Sequence, residues 1–244
     1  MRNFRYITRA TTLETDLPFL PLHDDNPRRW VSTPYVTWGI ILFCAIIYIW
    51  QTGLSPEDEA KVLFSYGFIP AVVFGYRELA ESLAVMPADF SVVTSVFLHG
   101  DAWHLIGNML FLYIFGDNVE DACGHWRFAI FFVITGAVAA LAQGYAEVAS
   151  EAPLIGASGA VSGVLGAYIL LTPKSKITVL LPFFIPIRLK AWAVIGSWFM
   201  FQTLASGGLM GAENVAYIAH VGGFLSGALL IGLIKRPAAR LFAQ

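Results

Sequence analysis

Residues 214–234 read NVAYIAHVGGFLSGALLIGLI, with no Asp, Glu, Lys or Arg among them. A helix crosses a bilayer with about 20 mostly apolar residues, so this stretch is long enough to span. Four more charge-free intervals of that kind run from Trp30 to Pro56, Phe128 to Ala146, Ala152 to Pro173 and Ala191 to Ala212. Ala102 to Gly116 is shorter, but only Asp101 separates it from the apolar run Phe90 to Gly100. Together they predict a helix from about Val96 to Asn118. The expected fold is therefore an all-α membrane protein with six transmembrane helices. Phe64 to Tyr76 is broken by Gly67, Pro70 and Gly75, and Ile177 to Ile187 carries Pro182 and Pro186. Both are too short and too interrupted to span, so they read as interfacial loops.

The composition of the whole chain agrees with this solvent. Of 244 residues, 57% are hydrophobic and 13% charged, whereas soluble domains carry about 25% charged residues. So few charges cannot cover a water-facing surface, which excludes a soluble enzyme and a disordered tail. A net charge of −2 supplies no basic field for nucleic acid. Two cysteines, Cys44 and Cys123, make no disulfide scaffold. Residues 1–30 lack the apolar core of a signal peptide.

The basic residues set the orientation. With six spans, 13 of the 15 Lys and Arg fall on the side holding both termini, and only Lys61 and Arg77 fall on the other. Both termini are expected in the cytoplasm. The division is a tail over 1–33, a six-helix membrane domain over 34–234 and a tail over 235–244, with one sizeable external loop between helices one and two.

Polar side chains inside a membrane are costly unless paired, and they mark function by default. The spans hold His104, Asn108, Gln143, Ser158, Gln202 and His220. Gln143 and Gln202 read as hydrogen-bonding ties between helices. His104 lies three residues past Asp101, Ser158 five past Pro153 and His220 seven past Glu213. At about 1.5 Å per residue, three helices place their polar groups roughly 5–10 Å below the outer interface. Gly159 and Gly163 are four apart, as are Gly223 and Gly227, a spacing that lets membrane helices approach closely. If helices four and six pack there, Ser158 and His220 meet.

A serine beside a histidine is a nucleophile beside a general base. No carboxylate lies in the membrane segments near His220, so the expected unit is a dyad. His104 and Asn108 are four apart on one helix face and both donate hydrogen bonds. With the Ser158 backbone N–H they suit an oxyanion hole, where one donor is typically worth about 2.7–4 kcal/mol.

The chain resembles the rhomboid family of intramembrane serine proteases. The resemblance rests on His99-Gly-Asp-Ala-Trp-His104-Leu-Ile-Gly-Asn108, on Gly156-Ala-Ser158-Gly159-Ala-Val-Ser-Gly163, and on Ala219-His220-Val-Gly-Gly223 with Gly227. Gly116, Glu120, Gly124 and Arg127 are similar to the family's short cytoplasmic turn, and the likeness covers roughly residues 35 to 234. It implies Ser158 as nucleophile, His220 as base and acid, and His104 and Asn108 as oxyanion donors. It further implies a close backbone approach at Gly156, a structural role for His99, and transmembrane proteins within the bilayer as substrates. The fifth helix and following loop would act as gate and cap, with Trp198, Phe201 and Met210 as candidate gate residues. No cofactor, metal or nucleic-acid partner is implied, and the compact form suggests a bacterial inner membrane. Oligomeric state is not written in the sequence.

Two positions depart from the family's pattern. Its Trp-Arg pair in the first external loop is here Tyr76-Arg77. The residue four after the nucleophile, often an aromatic ring stacked on the histidine, is Ser162. The alternatives are an inactive relative that binds transmembrane helices, a proton-relay transporter, or a haem or metal site on His104 and His220. A transporter would need charged residues deeper in the helices and repeat symmetry between halves, neither of which is visible, and the haem or metal site leaves Ser158 and Asn108 unexplained.

Overall fold

The computed structural model describes residues 20–181, 185–206 and 216–243. In chain order these form β1 (Leu20–Asp24), α1 (Tyr35–Thr52), α2 (Pro56–Tyr66), α3 (Pro70–Val73), α4 (Ser91–Thr94), α5 (Ala102–Cys123), α6 (His125–Ala146), α7 (Ser158–Leu171), β2 (Lys176–Leu181), β3 (Ile185–Lys190), α8 (Ala191–Ser206) and α9 (Tyr217–Ile234).

The structure is mostly helical. Among the described residues α1, α6 and α9 are long and apolar enough to cross a membrane. The other three long helices fall short of that description for different reasons. α5 has 22 residues but carries Asp117, Glu120 and Asp121 in its last turns. α7 has only 14 residues, or about 21 Å of helix, against a hydrocarbon core of about 30 Å. α8 has 16 residues.

The surface is inside out relative to a soluble protein. In α1 the buried residues are Thr37, Cys44 and Gln51, one every seven positions, so a single narrow stripe faces the protein. Trp38, Leu42, Ile46 and Ile49 on its other faces are exposed. Leu229 and Leu233 of α9 are 77% and 82% exposed, which only an apolar solvent makes favourable. Exposed rings form two belts. Tyr35 and Trp126 lie towards one end and Trp50, Trp103 and Tyr145 towards the other, as aromatic residues do at membrane interfaces.

α1 is fastened to its neighbours at both ends of its stripe. No side chain of its own caps its N-terminus. Instead the fully buried Glu120 of α5 accepts from the backbone N–H of Val36 (3.0 Å) and Thr37 (2.8 Å) and from the Thr37 hydroxyl (2.6 Å). Asp121 accepts from the N–H groups of Arg29, Trp30 and Val31. At the other end Gln51 donates to the His99 carbonyl (3.1 Å) and accepts from the His99 N–H (3.3 Å). Glu120→Ala strands two buried donors of Thr37 and the half-buried Val36 N–H, and each unmet buried group costs about 1–3 kcal/mol. A loss of about 3 kcal/mol or more is expected in an unfolding measurement in detergent.

Three expectations from the sequence are corrected. The all-α reading misses an antiparallel sheet of order β1-β2-β3, in which Leu20 pairs with Leu180 and Lys176 with Lys190. The segment read as a proline-broken interfacial loop is its hairpin. Pro21 and Pro186 sit on the two edge strands, where a missing N–H is tolerated, and Ile177 and Val179 of the central strand are fully buried. The second long helix starts at Ala102, not about Val96, because the Asp101 side chain caps it by accepting from the N–H groups of Trp103 and His104. Residues 95–97 form a separate 3₁₀ turn and Leu98 is extended. The loop between the first two long helices is also less irregular than expected. Ser55 caps α2, Pro56 takes the first position, and Glu57, Asp58 and Glu59 follow in the first turn.

Candidate active site

α7 and α9 meet backbone to backbone. A Cβ on Gly223 would lie 2.1 Å from the Gly159 carbonyl oxygen, and one on Gly227 would lie 2.0 Å from that of Gly163. One on Gly166 would lie 2.1 Å from the Phe224 carbonyl oxygen. On the opposite flank of α7, a Cβ on Gly159 would sit 2.4 Å from Ala139 Cβ and one on Gly163 2.5 Å from Thr135 Cβ, both on α6. The short helix is thus gripped on two sides through its glycines.

This seam decides where the polar groups fall. Ser158 is the first residue of α7 and Gly159 the second. The Ala219 carbonyl oxygen lies 3.9 Å from the Gly159 Cβ position, so the residue before His220 borders the residue after Ser158. Ser158, Gly156, Ile155, Leu154, Ser95 and Ala219 line one small cleft. The first intrahelical bond of α7 is Val161 N–H to the Ala157 carbonyl (2.9 Å). The N–H groups of Ser158, Gly159 and Ala160 therefore have no intrahelical acceptor, and the helix dipole adds its positive end there.

His104 lies against Gly156. Gly156 has a φ of 115°, and a Cβ on it would lie 2.5 Å from His104 Cε1 and 2.6 Å from Nε2. Only glycine lets the imidazole reach the chain two residues before the serine. The His104 ring is backed edge-on by His99 at 5.2 Å, whose backbone Gln51 clamps. Asn108, one turn along α5, is 7% exposed, and its Nδ2 has no hydrogen-bond partner. A buried unpaired amide donor is rare in folded proteins.

Around His220 the sequence reading was incomplete. Ser162 is 1% exposed and its hydroxyl donates to the Ser158 carbonyl (2.6 Å), so it turns back along its own helix. The rings beside the imidazole come from other positions: Trp198 on α8 at 6.2 Å and Tyr217 at 6.5 Å. Gln202 of α8 places Oε1 2.7 Å from His220 Nδ1. Sequence reasoning took Gln202 and Gln143 alike for helix ties. Gln143 is one, accepting from the Ala219 N–H at 3.2 Å, whereas Gln202 holds the candidate base itself. Phe201, the second candidate gate residue, pairs edge-on with Tyr217 at 6.4 Å. Met210 lies outside the described residues. Arg77, next to Tyr76 in the loop between α1 and α5, pairs with Glu151 at 2.6 Å, while Phe68 and Leu154 form a β-bridge.

Residues 89–237 match the family model described as the Rhomboid domain. The chain belongs to the rhomboid family. It is 32% identical over 143 residues to Rhomboid protein 1, mitochondrial, of Saccharomyces cerevisiae, covering 57% of this chain and 40% of that one. It is 30% identical over 170 residues to Rhomboid-like protein 11, chloroplastic, of Arabidopsis thaliana, covering 64% and 56%. Against the Bacillus subtilis rhomboid protease GluP it is 27% identical over 173 residues, covering 71% and 31%. The matched stretch thus spans about half the length of the first two relatives. Rhomboid members are intramembrane serine proteases, some of them inactive, and this rhomboid is a multi-pass membrane protein.

Proposed function

We propose that this rhomboid is an active intramembrane serine endopeptidase in which Ser158 attacks and His220 transfers the proton. The observation that carries the reading is the backbone contact of Gly159 with Gly223, which sets the first turn of α7 against the turn that bears His220. On this reading the chain crosses the bilayer six times, with α1, α5, α6, α7, α8 and α9 as the spans. Both termini lie in the cytoplasm, in a bacterial inner membrane, and the 13-to-2 split of basic residues supports that orientation. Residues 34–234 are the membrane domain, flanked by tails. The substrates are transmembrane proteins.

The chemistry follows from the arrangement. His220 takes the proton from the Ser158 hydroxyl as Oγ bonds to the scissile carbonyl carbon, and the carbonyl oxygen becomes an oxyanion. The free Asn108 Nδ2, His104 and the Ser158 N–H at the start of α7 are the donors for that charge. The tetrahedral intermediate collapses by breaking the C–N bond, and His220 returns its proton to the departing amine. Water then repeats the sequence on the acyl-serine, with His220 first as base and then as acid, and frees the carboxylate product. Because α7 is about 9 Å shorter than the hydrocarbon core, the serine sits below the outer interface, and its cleft brings water to a bond otherwise kept dry.

The test is cleavage of a single-span reporter with small residues at the scissile bond, in liposomes containing the purified protein. Asn108→Ala is expected to lower kcat about 10²–10³-fold. The buried Nδ2 has no partner to lose, so the melting temperature should barely move. An Asn108→Ala protein with wild-type kcat would remove Asn108 from the oxyanion hole.

A further inference from the structure

The His220 imidazole has two nitrogens, and only one of them can face Ser158. For the ring to act as a base, Nε2 must be unprotonated and Nδ1 must carry the hydrogen. Something has to accept that hydrogen and hold the ring. In a three-residue triad a carboxylate does so, but among the described residues no Asp or Glu bonds to His220. The acceptor present is the amide oxygen of Gln202, 2.7 Å from Nδ1, on a side chain only 6% exposed. Gln202 lies one turn beyond Trp198, so the two reach His220 from one face of α8. Phe199 stacks on Phe224 at 4.2 Å and fixes α8 against α9 beside them.

We propose that Gln202 is the positioning residue of the dyad, holding His220 through Nδ1 so that Nε2 is presented to Ser158. The proposal rests on the Ser158–His220 assignment. The amide oxygen accepts the Nδ1 hydrogen without adding a charge inside the bilayer, and a carboxylate at the same reach would have the His220 ring as its partner. The acceptor also stands on a different helix from the base, so the ring is aligned only while α8 is seated on α9. That seating becomes a condition for catalysis and not merely for stability.

The experiment compares wild type, Gln202→Met, Gln202→Glu and Ser158→Ala in liposomes, reading kcat and KM for the single-span reporter. It also follows the rate of fluorophosphonate labelling, with all rates expressed per folded molecule. Methionine fills the same space with only a weak acceptor, and glutamate restores an oxygen at the same reach. Gln202→Met is expected to lower kcat about tenfold or more with KM within about twofold, and to slow labelling in step. Gln202→Glu is expected to recover much of that loss. The proposal is overturned if Gln202→Met keeps wild-type kcat and labelling rate. It is overturned equally if Gln202→Glu is no faster than Gln202→Met, since the site would then be sensitive to shape and not to an acceptor. Cleavage by Ser158→Ala would instead strike the underlying dyad, whatever the Gln202 variants do.

Discussion

Ser158→Ala is expected to reduce cleavage of a membrane-embedded substrate to background, a fall of about 10⁴-fold or more, with the fold intact. The hydroxyl is the only group lost. The seam beneath it is made by Gly159, Gly163, Gly223 and Gly227, and Ser162 bonds to the Ser158 carbonyl, which alanine retains. His220→Ala should fall as far, because an unactivated serine is a poor nucleophile at neutral pH. The double variant should be no slower than either single one, since the two residues act as a unit and their losses do not add. A double variant slower than both by the product of their effects would mean that they work independently.

Gly227→Leu carries the second large effect, and it acts through the fold. Any Cβ there would meet the Gly163 carbonyl oxygen at 2.0 Å and the Gly163 carbonyl carbon at 2.5 Å. Both are backbone atoms of a helix that α6 grips from its other flank, so neither can move aside cheaply. The helices must separate, at a cost of about 3 kcal/mol or more, and the turn of His220 would draw away from Ser158. Unfolding midpoint and cleavage should fall together. Gly232, one turn and a half further along the same helix, has nothing within 4 Å of its Cβ position. Gly232→Leu should therefore stay within about 0.5 kcal/mol of wild type. Equal behaviour of the two variants would show that the seam is not a close contact.

Much of this architecture was legible in the sequence because a bilayer leaves few options. Charge-free length marks α1, α6 and α9, and small residues spaced by four mark the place where α7 and α9 touch. Harder to see were features decided by single side chains from elsewhere in the chain. Asp101 looks like a stray charge between two apolar runs, yet by capping α5 it moves the helix start and accepts from the His104 N–H. Pro186 looks like a break, but it sits on an edge strand, and the other edge of that sheet is supplied by residues 20–24, more than 150 positions earlier. Gln202 reads from the sequence as one more hydrogen-bonding tie between helices, because nothing in its spacing shows that an imidazole on another helix faces it. Ser162 drew attention for the ring it lacks, while the rings that do flank His220 stand on α8 and at the start of α9.

The most direct test of the dyad is covalent labelling by a fluorophosphonate, followed by mass spectrometry of the modified peptide. The reagent needs an activated serine and no substrate, so it separates the chemistry of the site from recognition of a transmembrane helix. The expected result is one label per chain, carried by Ser158, lost in Ser158→Ala and strongly slowed in His220→Ala. A label that persists in Ser158→Ala, or that sits on another serine in the wild type, would contradict the assignment.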